Sequence, residues 1–187
     1  MDLLIVLVAL IISSPIMLIE YLLVKLTSPG PAIFRQARVG QDVQEFFVHK
    51  FRSMYVDADQ RFKEFGAWST DEAKDPRITP VGRAIRKTMI DELPQLWDVF
   101  VGKMSIVGPR PEQPKYVDKF VKEVPSYFKR HFVKSGLTGW AQVNGLRGDT
   151  SVAERVKYDL YYIENWSIWF DLRIMLATVG YVLRGGK

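Results

Sequence analysis

Leu3 through Ile12 is an unbroken aliphatic run; Ser13-Ser14-Pro15 follows, and a second apolar run reaches Val24 with only Glu20 interrupting it. About 20 apolar residues suffice to cross a bilayer. A secretory signal would need a positive start and a small-residue cleavage site; the segment opens Met1-Asp2, and no such site follows. Pro15 removes one backbone hydrogen bond and crowds the Ile11 carbonyl, which predicts a kink. The Ser13 and Ser14 hydroxyls are placed to satisfy the freed groups. Glu20 falls a little beyond mid-segment, where a carboxylate is expensive unless paired or near headgroups. A helix that enters, bends at Ser14-Pro15 and leaves on the same side meets all three observations; a kinked full span stays open beside it.

The opposite end is also apolar. Trp166 to Leu183 carries Trp166, Trp169 and Phe170 at its start, with Asp171 and Arg173 among aliphatics. Such stretches favour the headgroup level, although a soluble core helix has the same pattern. Tyr127 to Lys134 mixes aromatics with positive charge and suits the same surface. The chain has 187 residues, enough for one domain. Cysteine is absent, which excludes disulfide scaffolds, thiolate metal sites and cysteine nucleophiles. Only His49 and His131 are present, so histidine-rich metal sites are not expected. The net charge of +5 favours anionic partners. Neither a basic helix nor an aromatic platform for nucleic acid is evident.

Between the ends, Ser28-Pro29-Gly30-Pro31 is turn chemistry that stops the first helix. Ala32–Gln36 and Phe46–Phe51 read as strands of a hairpin around Gly40-Gln41-Asp42. Residues 57–65 read as helix, 67–80 as a polar loop, and Arg83, Arg86 and Lys87 form a basic group. Leu93, Leu96, Trp97 and Phe100 recur at helical spacing on one apolar face. Thr88 and Asp91 have capping-box spacing, which favours an early helix start; Pro94 favours a later one. Residues 111–131 read as helical, 136–145 as a loop, and the chain is helical again from Ser151.

Asp91-Glu92 then lies in or just before a first helical turn. Two adjacent helical residues are about 100° apart and can reach one ion between them. The helix N-terminus favours ionised carboxylate and attracts phosphate. Plain capping is the ordinary role of acids there. Gly108 and Arg110 each precede a proline, which excludes most helical conformations. Arg110 is thus displayed from a stiff loop with geometry suited to phosphate; a solvated connector arginine would look the same. Lys50, Arg52, Arg83, Arg86 and Lys87 add positive charge. The common ATP and dinucleotide glycine loops are absent. Asp57-Ala58-Asp59 matches a short D-x-D metal motif, but three residues match easily by chance and no nucleotide-binding strand precedes them.

The ordered set Ser28-Pro29-Gly30-Pro31 with Phe34–Gly40, Lys50-Phe51-Arg52-Ser53-Met54, Asp91–Trp97, Met104–Pro111 and Gly136–Gly145 resembles the bacterial sugar transferases, the monotopic phosphoglycosyl transferases. The resemblance covers nearly the whole chain. It implies an α/β fold, mostly helical with a small β-hairpin, whose re-entrant membrane helix (residues 1–27, broken at Ser14-Pro15) precedes a catalytic domain (28–187) resting on interfacial amphipathic helices. The implied location is the cytoplasmic face of a bacterial inner membrane. The implied reaction transfers a sugar 1-phosphate from a UDP-sugar to polyprenyl phosphate, such as undecaprenyl phosphate, releasing UMP through a covalent aspartyl phosphosugar, with Mg²⁺ required.

In that scheme Asp91 is the nucleophile and Glu92 a metal ligand or proton acceptor, so both are implied metal residues. Arg110 holds phosphate, Lys50, Arg52 and Arg86 line the same pocket, and Gln142 and Arg147 face the nucleotide. The chain departs from many members in having Ser135-Gly136 for Pro-Gly, and from some small members, in which an arginine directly follows Asn-Gly, in the Leu146 that separates Asn144-Gly145 from Arg147. Asn144–Gly148 and the polar loop at 66–80 look more like members that use UDP-glucose or UDP-galactose, which often carry further N-terminal helices and another domain. A UDP-N-acetylhexosamine donor, or a catalytically silent scaffold for glycan assembly, are the competing expectations. A homo-oligomer is compatible with the resemblance.

Overall fold

The computed structural model describes residues 1–58, 60, 75–148 and 150–183. Those residues are mostly helical, with two small sheets. A 26-residue helix, α1 (Asp2–Thr27), comes first. An antiparallel hairpin of β1 (Ile33–Val39) and β2 (Glu45–Phe51) follows. Its turn is the expected one at Gly40, with Asp42 and Val43 both left-handed. The register sets Phe34 opposite Lys50, Gln36 opposite Val48 and Arg38 opposite Phe46. Side chains alternate along a strand, so Arg38, Val48 and Lys50 share a face.

α1 remains helical through Pro15. The carbonyl that Pro15 leaves without a donor is that of Ile11, and Ser14 Oγ donates to it at 2.8 Å. Val6, Ser13, Glu20 and Val24 are the buried residues of α1, spaced as one stripe. Val6 enters a core cluster with Val48, Leu96, Val99 and Ile174, whereas Val24 joins Ala32, Phe51 and Ile85. At the start of the helix, Ser105 Oγ donates to Asp2 at 2.7 Å. Both ends of α1 are therefore held by the same body, and its other faces present aliphatic side chains outward. It is the one described helix long and apolar enough to cross a membrane.

α2 (Pro80–Lys87) starts on a Thr79 cap, whose hydroxyl accepts from Gly82 N. The predicted capping box at Thr88 does not form. Thr88 is instead the C-cap of α2, its hydroxyl donating back to Ala84 and Ile85 carbonyls. After Met89 the chain makes a 3₁₀ turn, Ile90–Glu92, and α3 (Gln95–Phe100) begins behind Pro94. Proline is tolerated at a helix start because its missing N–H would have no intrahelical acceptor there. The apolar face expected of α3 is rotated. Leu96 and Val99 are buried with Asp98, while Trp97 stacks on Phe100 and is half exposed. Asp98 is fully buried because β2 needs it: His49 donates its backbone N–H (2.9 Å), and its ring Nδ1 lies 2.7 Å from the carboxylate.

β3 (Ser105–Val107) and β4 (Gly136–Thr138) pair in parallel, so part of the predicted 136–145 loop is strand, and α5 (Trp140–Val143) follows it. The continuous helix expected over 111–131 is two pieces. α4 (Pro114–Glu123) ends at Val124, and a 3₁₀ turn, Tyr127–Phe132, begins after left-handed Ser126. α6 (Val152–Glu164) starts at a Ser151 cap as expected. In α7 (Ile168–Leu183), Asp171 faces inward, accepting from the Tyr162 hydroxyl and the Trp166 indole, while Trp169 is 81% exposed. Residues 59 and 61–74 lie outside the described set, and with them most of the 57–65 helix, most of the 67–80 loop and Asp59 of the D-x-D match.

Candidate functional site

The Asp91-Glu92 pair sits where α2 stops and the chain turns toward α3. Met89 makes that turn in the left-handed region (φ 57). Glycine or asparagine usually fills this position after a helix; an ordinary side chain there costs about 1–2 kcal/mol. The turn closes with Glu92 N donating to Met89 O (3.2 Å) and Leu93 N to Ile90 O (3.0 Å). A 3₁₀ turn advances about 120° per residue, so the two carboxylates point in different directions.

Glu92 turns to the hairpin and to the Pro109–Pro111 loop. Lys50 Nζ donates to Glu92 Oε1 at 2.7 Å; Arg110 donates to the same oxygen at 2.6 Å and to Oε2 at 3.3 Å. Burial alone would raise the Glu92 carboxyl, but the Arg110 and Lys50 cations outweigh it and hold it well below the usual carboxylate range. Asp91 has no side-chain hydrogen bond among the described residues. Burial, then the negative charge of Glu92, pushes Asp91 up to about 6, against the pull of Lys50, Arg86 and Arg110. One acid of the pair is thus locked in cations, and the other is open.

Arg110 is fixed from both sides. Gly108 N donates to Thr138 O, and Gly136 N to Pro109 O, which ties the loop to β4. Arg130 donates to the Arg110 carbonyl at 2.8 Å and is itself buried against Asp159 and the Tyr127 hydroxyl. Where Arg38, Val48 and Lys50 share a hairpin face, a cavity of about 10 Å³ opens, lined also by Gln95, Arg110 and Pro111. That is room for about one water. Gln95 Nε2 is buried there without a partner, so the polar atoms facing this space include three cations and an unused amide donor.

Of the residues singled out in the sequence, Lys50, Glu92 and Arg110 meet directly, and Arg86 lies within the electrostatic reach of Asp91. Arg52 does something else: its guanidinium donates to the Pro29 carbonyl (2.6 Å) and to the Ser28 carbonyl and hydroxyl (2.7 Å each), fastening the turn after α1. Gln142 is buried, donating to Leu137 O at 3.3 Å. Arg147 is near the pair, with Nη1 3.0 Å from Met89 Sδ and its guanidinium 4.7 Å from the Tyr181 ring centroid.

Three site residues are new. Arg38 follows from strand alternation with Lys50 once the hairpin register is fixed. Gln95 carries no signal beyond a polar residue in an apolar helix. Glu20 is buried with both carboxylate oxygens unpartnered and lies close enough to Asp91 to feel its charge; the sequence marks it as a costly charge in an apolar helix but not as a neighbour of the acid pair.

No group of three or more acidic or histidine side chains is arranged to hold a metal among the described residues. Both Glu92 oxygens already face cations, which leaves Asp91 as the open oxygen ligand of the pair. Magnesium is commonly held by one or two carboxylates together with substrate phosphates, and Asp91 fits that mode; a cage built from both acids does not fit.

The family model described as bacterial sugar transferase matches residues 1–185. The UDP-N-acetylgalactosamine-undecaprenyl-phosphate N-acetylgalactosaminephosphotransferase of Aeromonas hydrophila is 43% identical over 99% of this chain and 43% of its own length. The UDP-glucose:undecaprenyl-phosphate glucose-1-phosphate transferase of Escherichia coli is 45% identical over 91% of this chain and 36% of its own. The undecaprenyl-phosphate galactose phosphotransferase of Salmonella typhimurium is 42% identical over 94% of this chain and 38% of its own. The chain therefore spans about two fifths of the length of these relatives.

Proposed function

The chain belongs to the bacterial sugar transferase family, and from that premise we propose that it moves a sugar 1-phosphate from a UDP-sugar onto polyprenyl phosphate. The observation that carries this reading is the open Asp91 carboxylate beside Glu92, which is held by Lys50 and Arg110. An Asp91 oxygen attacks the sugar-bearing phosphorus, and the bond from that phosphorus to the oxygen bridging to UMP breaks. UMP leaves with the electron pair. An acceptor phosphate oxygen then attacks the same phosphorus, and the Asp91 carboxylate is released as the polyprenyl diphosphate sugar forms.

Attack of carboxylate on phosphate sets like charge against like, and electrostatic stabilisation is most of phosphoryl-transfer catalysis. Arg110 is stiffly presented for that task. Lys50, Arg38 and Arg86 add positive charge, and Glu92, accepting from both Lys50 and Arg110 through one oxygen, offsets their mutual repulsion and holds them in place. Magnesium, held by Asp91 and the donor diphosphate, would neutralise charge on the leaving phosphate. Glucose and galactose are the proposed donor sugars; the relative from A. hydrophila makes UDP-N-acetylgalactosamine the alternative.

The reaction is placed at the cytoplasmic face of the inner membrane, with α1 re-entering rather than crossing. Support comes from the Asp2–Ser105 bond at one end of α1 and the Val24 cluster at the other, which hold both ends to one body. The test is UMP release from a panel of UDP-sugars with Mg²⁺, with and without undecaprenyl phosphate. Turnover with one donor that requires the lipid, and its loss in Asp91→Asn with the fold retained, is the expected result. Full turnover by that variant removes the proposed nucleophile.

A further inference from the structure

Beside Glu92 lies a second, larger cavity of about 240 Å³ that neither the transfer chemistry nor the small cationic cavity uses. Its walls are Met89, Leu93, Ile106, Leu137, Met175 and Val182, with Arg147 and Glu92 at the polar end. Thr138 and Thr178 also face it, but their hydroxyls are 2.6 Å apart and Thr178 donates to the Ile174 carbonyl at 2.8 Å. Both hydroxyl hydrogens are therefore committed, so the carbonyl oxygens of a nucleobase entering here would find no donor in these threonines, and unpaired polar edges are costly to bury.

An aliphatic chain has no such need. An apolar cavity of about 150 Å³ already takes up benzene, so about 240 Å³ accommodates a five-carbon isoprenoid unit and part of the next. The cavity is continuous with the outer surface of α7, because Val182 lines it and is itself partly exposed, next to the outward Leu176 and Val179.

Charge completes the match. Arg147 pairs with no carboxylate among the described residues; its contacts are the Met89 sulfur and the Tyr181 ring, and its Nε is buried without a partner. A guanidinium satisfied only by soft contacts at the mouth of an apolar cavity suits a phosphate that carries a hydrocarbon tail. We propose that this cavity is the acceptor subsite, with Arg147 on the acceptor phosphate and the apolar walls around the first isoprenoid units. This rests on the transferase reading above, and it moves Arg147 from the nucleotide to the lipid.

The test uses the detergent-solubilised full chain and acceptors that share a phosphate but differ in hydrocarbon: methyl, dimethylallyl, geranyl and undecaprenyl phosphate. For the unmodified protein, KM is expected to fall by about tenfold or more from methyl to geranyl phosphate, as a few methylenes leave water. Val182→Trp, a rim substitution that fills the mouth, is expected to erase that gain while leaving the UDP-sugar KM unchanged; Val182→Phe is the milder second variant. Arg147→Gln is expected to weaken all the phosphates, methyl phosphate included. Unchanged acceptor KM values in the filled variants overturn the assignment, and so does a rise confined to the UDP-sugar KM, which would give the cavity to the nucleotide. Failure of the unmodified protein to turn over any donor defeats the transferase reading instead. The cavity is then tested by binding alone, where geranyl phosphate should raise the thermal unfolding midpoint of the unmodified protein but not of Val182→Trp, and an equal shift in both overturns it.

Discussion

Asp91 and Glu92 are adjacent in the chain, yet their surroundings drive them in opposite directions. Burial and the charge of Glu92 push Asp91 up to about 6, while Arg110 and Lys50 keep Glu92 ionised far below that. Proton loss from Asp91 makes it a nucleophile, so UMP release should rise with pH through about 6 and level off above it. Glu92→Gln removes the negative charge that raises Asp91 and frees two cations that lower it, so the acid limb should move to lower pH. Turnover should also fall by about 10²-fold, because Lys50 and Arg110 lose the group that orders them. A pH–rate profile of both proteins checks this, and an unmoved limb would show that Glu92 does not set the charge state of Asp91. The pair itself was legible in the sequence as two acids near a helix start. Their division of labour was not, because it depends on Lys50 and Arg110, 42 and 18 residues away from Glu92.

At the scale of elements, strong local patterns carried through and short ones did not. The hairpin, the first helix and the Ser151 start of α6 follow from alternation, apolar length and capping. β3 and β4 are three residues each, too short for periodicity to announce, and their parallel pairing depends on two glycines. A Cβ on Gly136 would collide with the backbone nitrogen of Gly108 and the carbonyl of Thr138. Gly136→Ala should therefore cost about 1–3 kcal/mol in a urea melt and, by displacing the Pro109–Pro111 loop that carries Arg110, lower turnover more than stability alone would explain. Normal turnover in a destabilised variant would separate the strand pair from the site. Thr88 shows the opposite case, where one residue satisfied two local rules and tertiary packing of α2 selected the C-cap. The rotation of α3 has the same origin. Asp98 is drawn inward by the His49 amide and ring, which carries Trp97 outward, where it is half exposed and stacks on Phe100.

For the whole molecule, the decisive relation is between α1 and the body that holds both of its ends. A helix of 26 residues is about 39 Å long, long enough to span, so length cannot separate crossing from re-entry. The chain has no cysteine, and single cysteines, one inserted directly after Met1 and one replacing Thr27, can be labelled cleanly in sealed vesicles. Both should react with an impermeant reagent from the same side; reaction from opposite sides would show a span and set aside the re-entrant reading. The sequence by itself determined the apolar helix and its serine repair at Pro15, the hairpin, the acid pair and the stiff arginine loop, because each is written in residues close together in the chain. Only the tertiary structure decided that Glu92 is the cation-bound acid and Asp91 the open one. It also placed Arg52 on a turn and Arg38 by the site, and put an apolar cavity between the pair and α7. Burial and charge at one residue are set by groups that the fold brings from distant parts of the chain, and no local pattern records them.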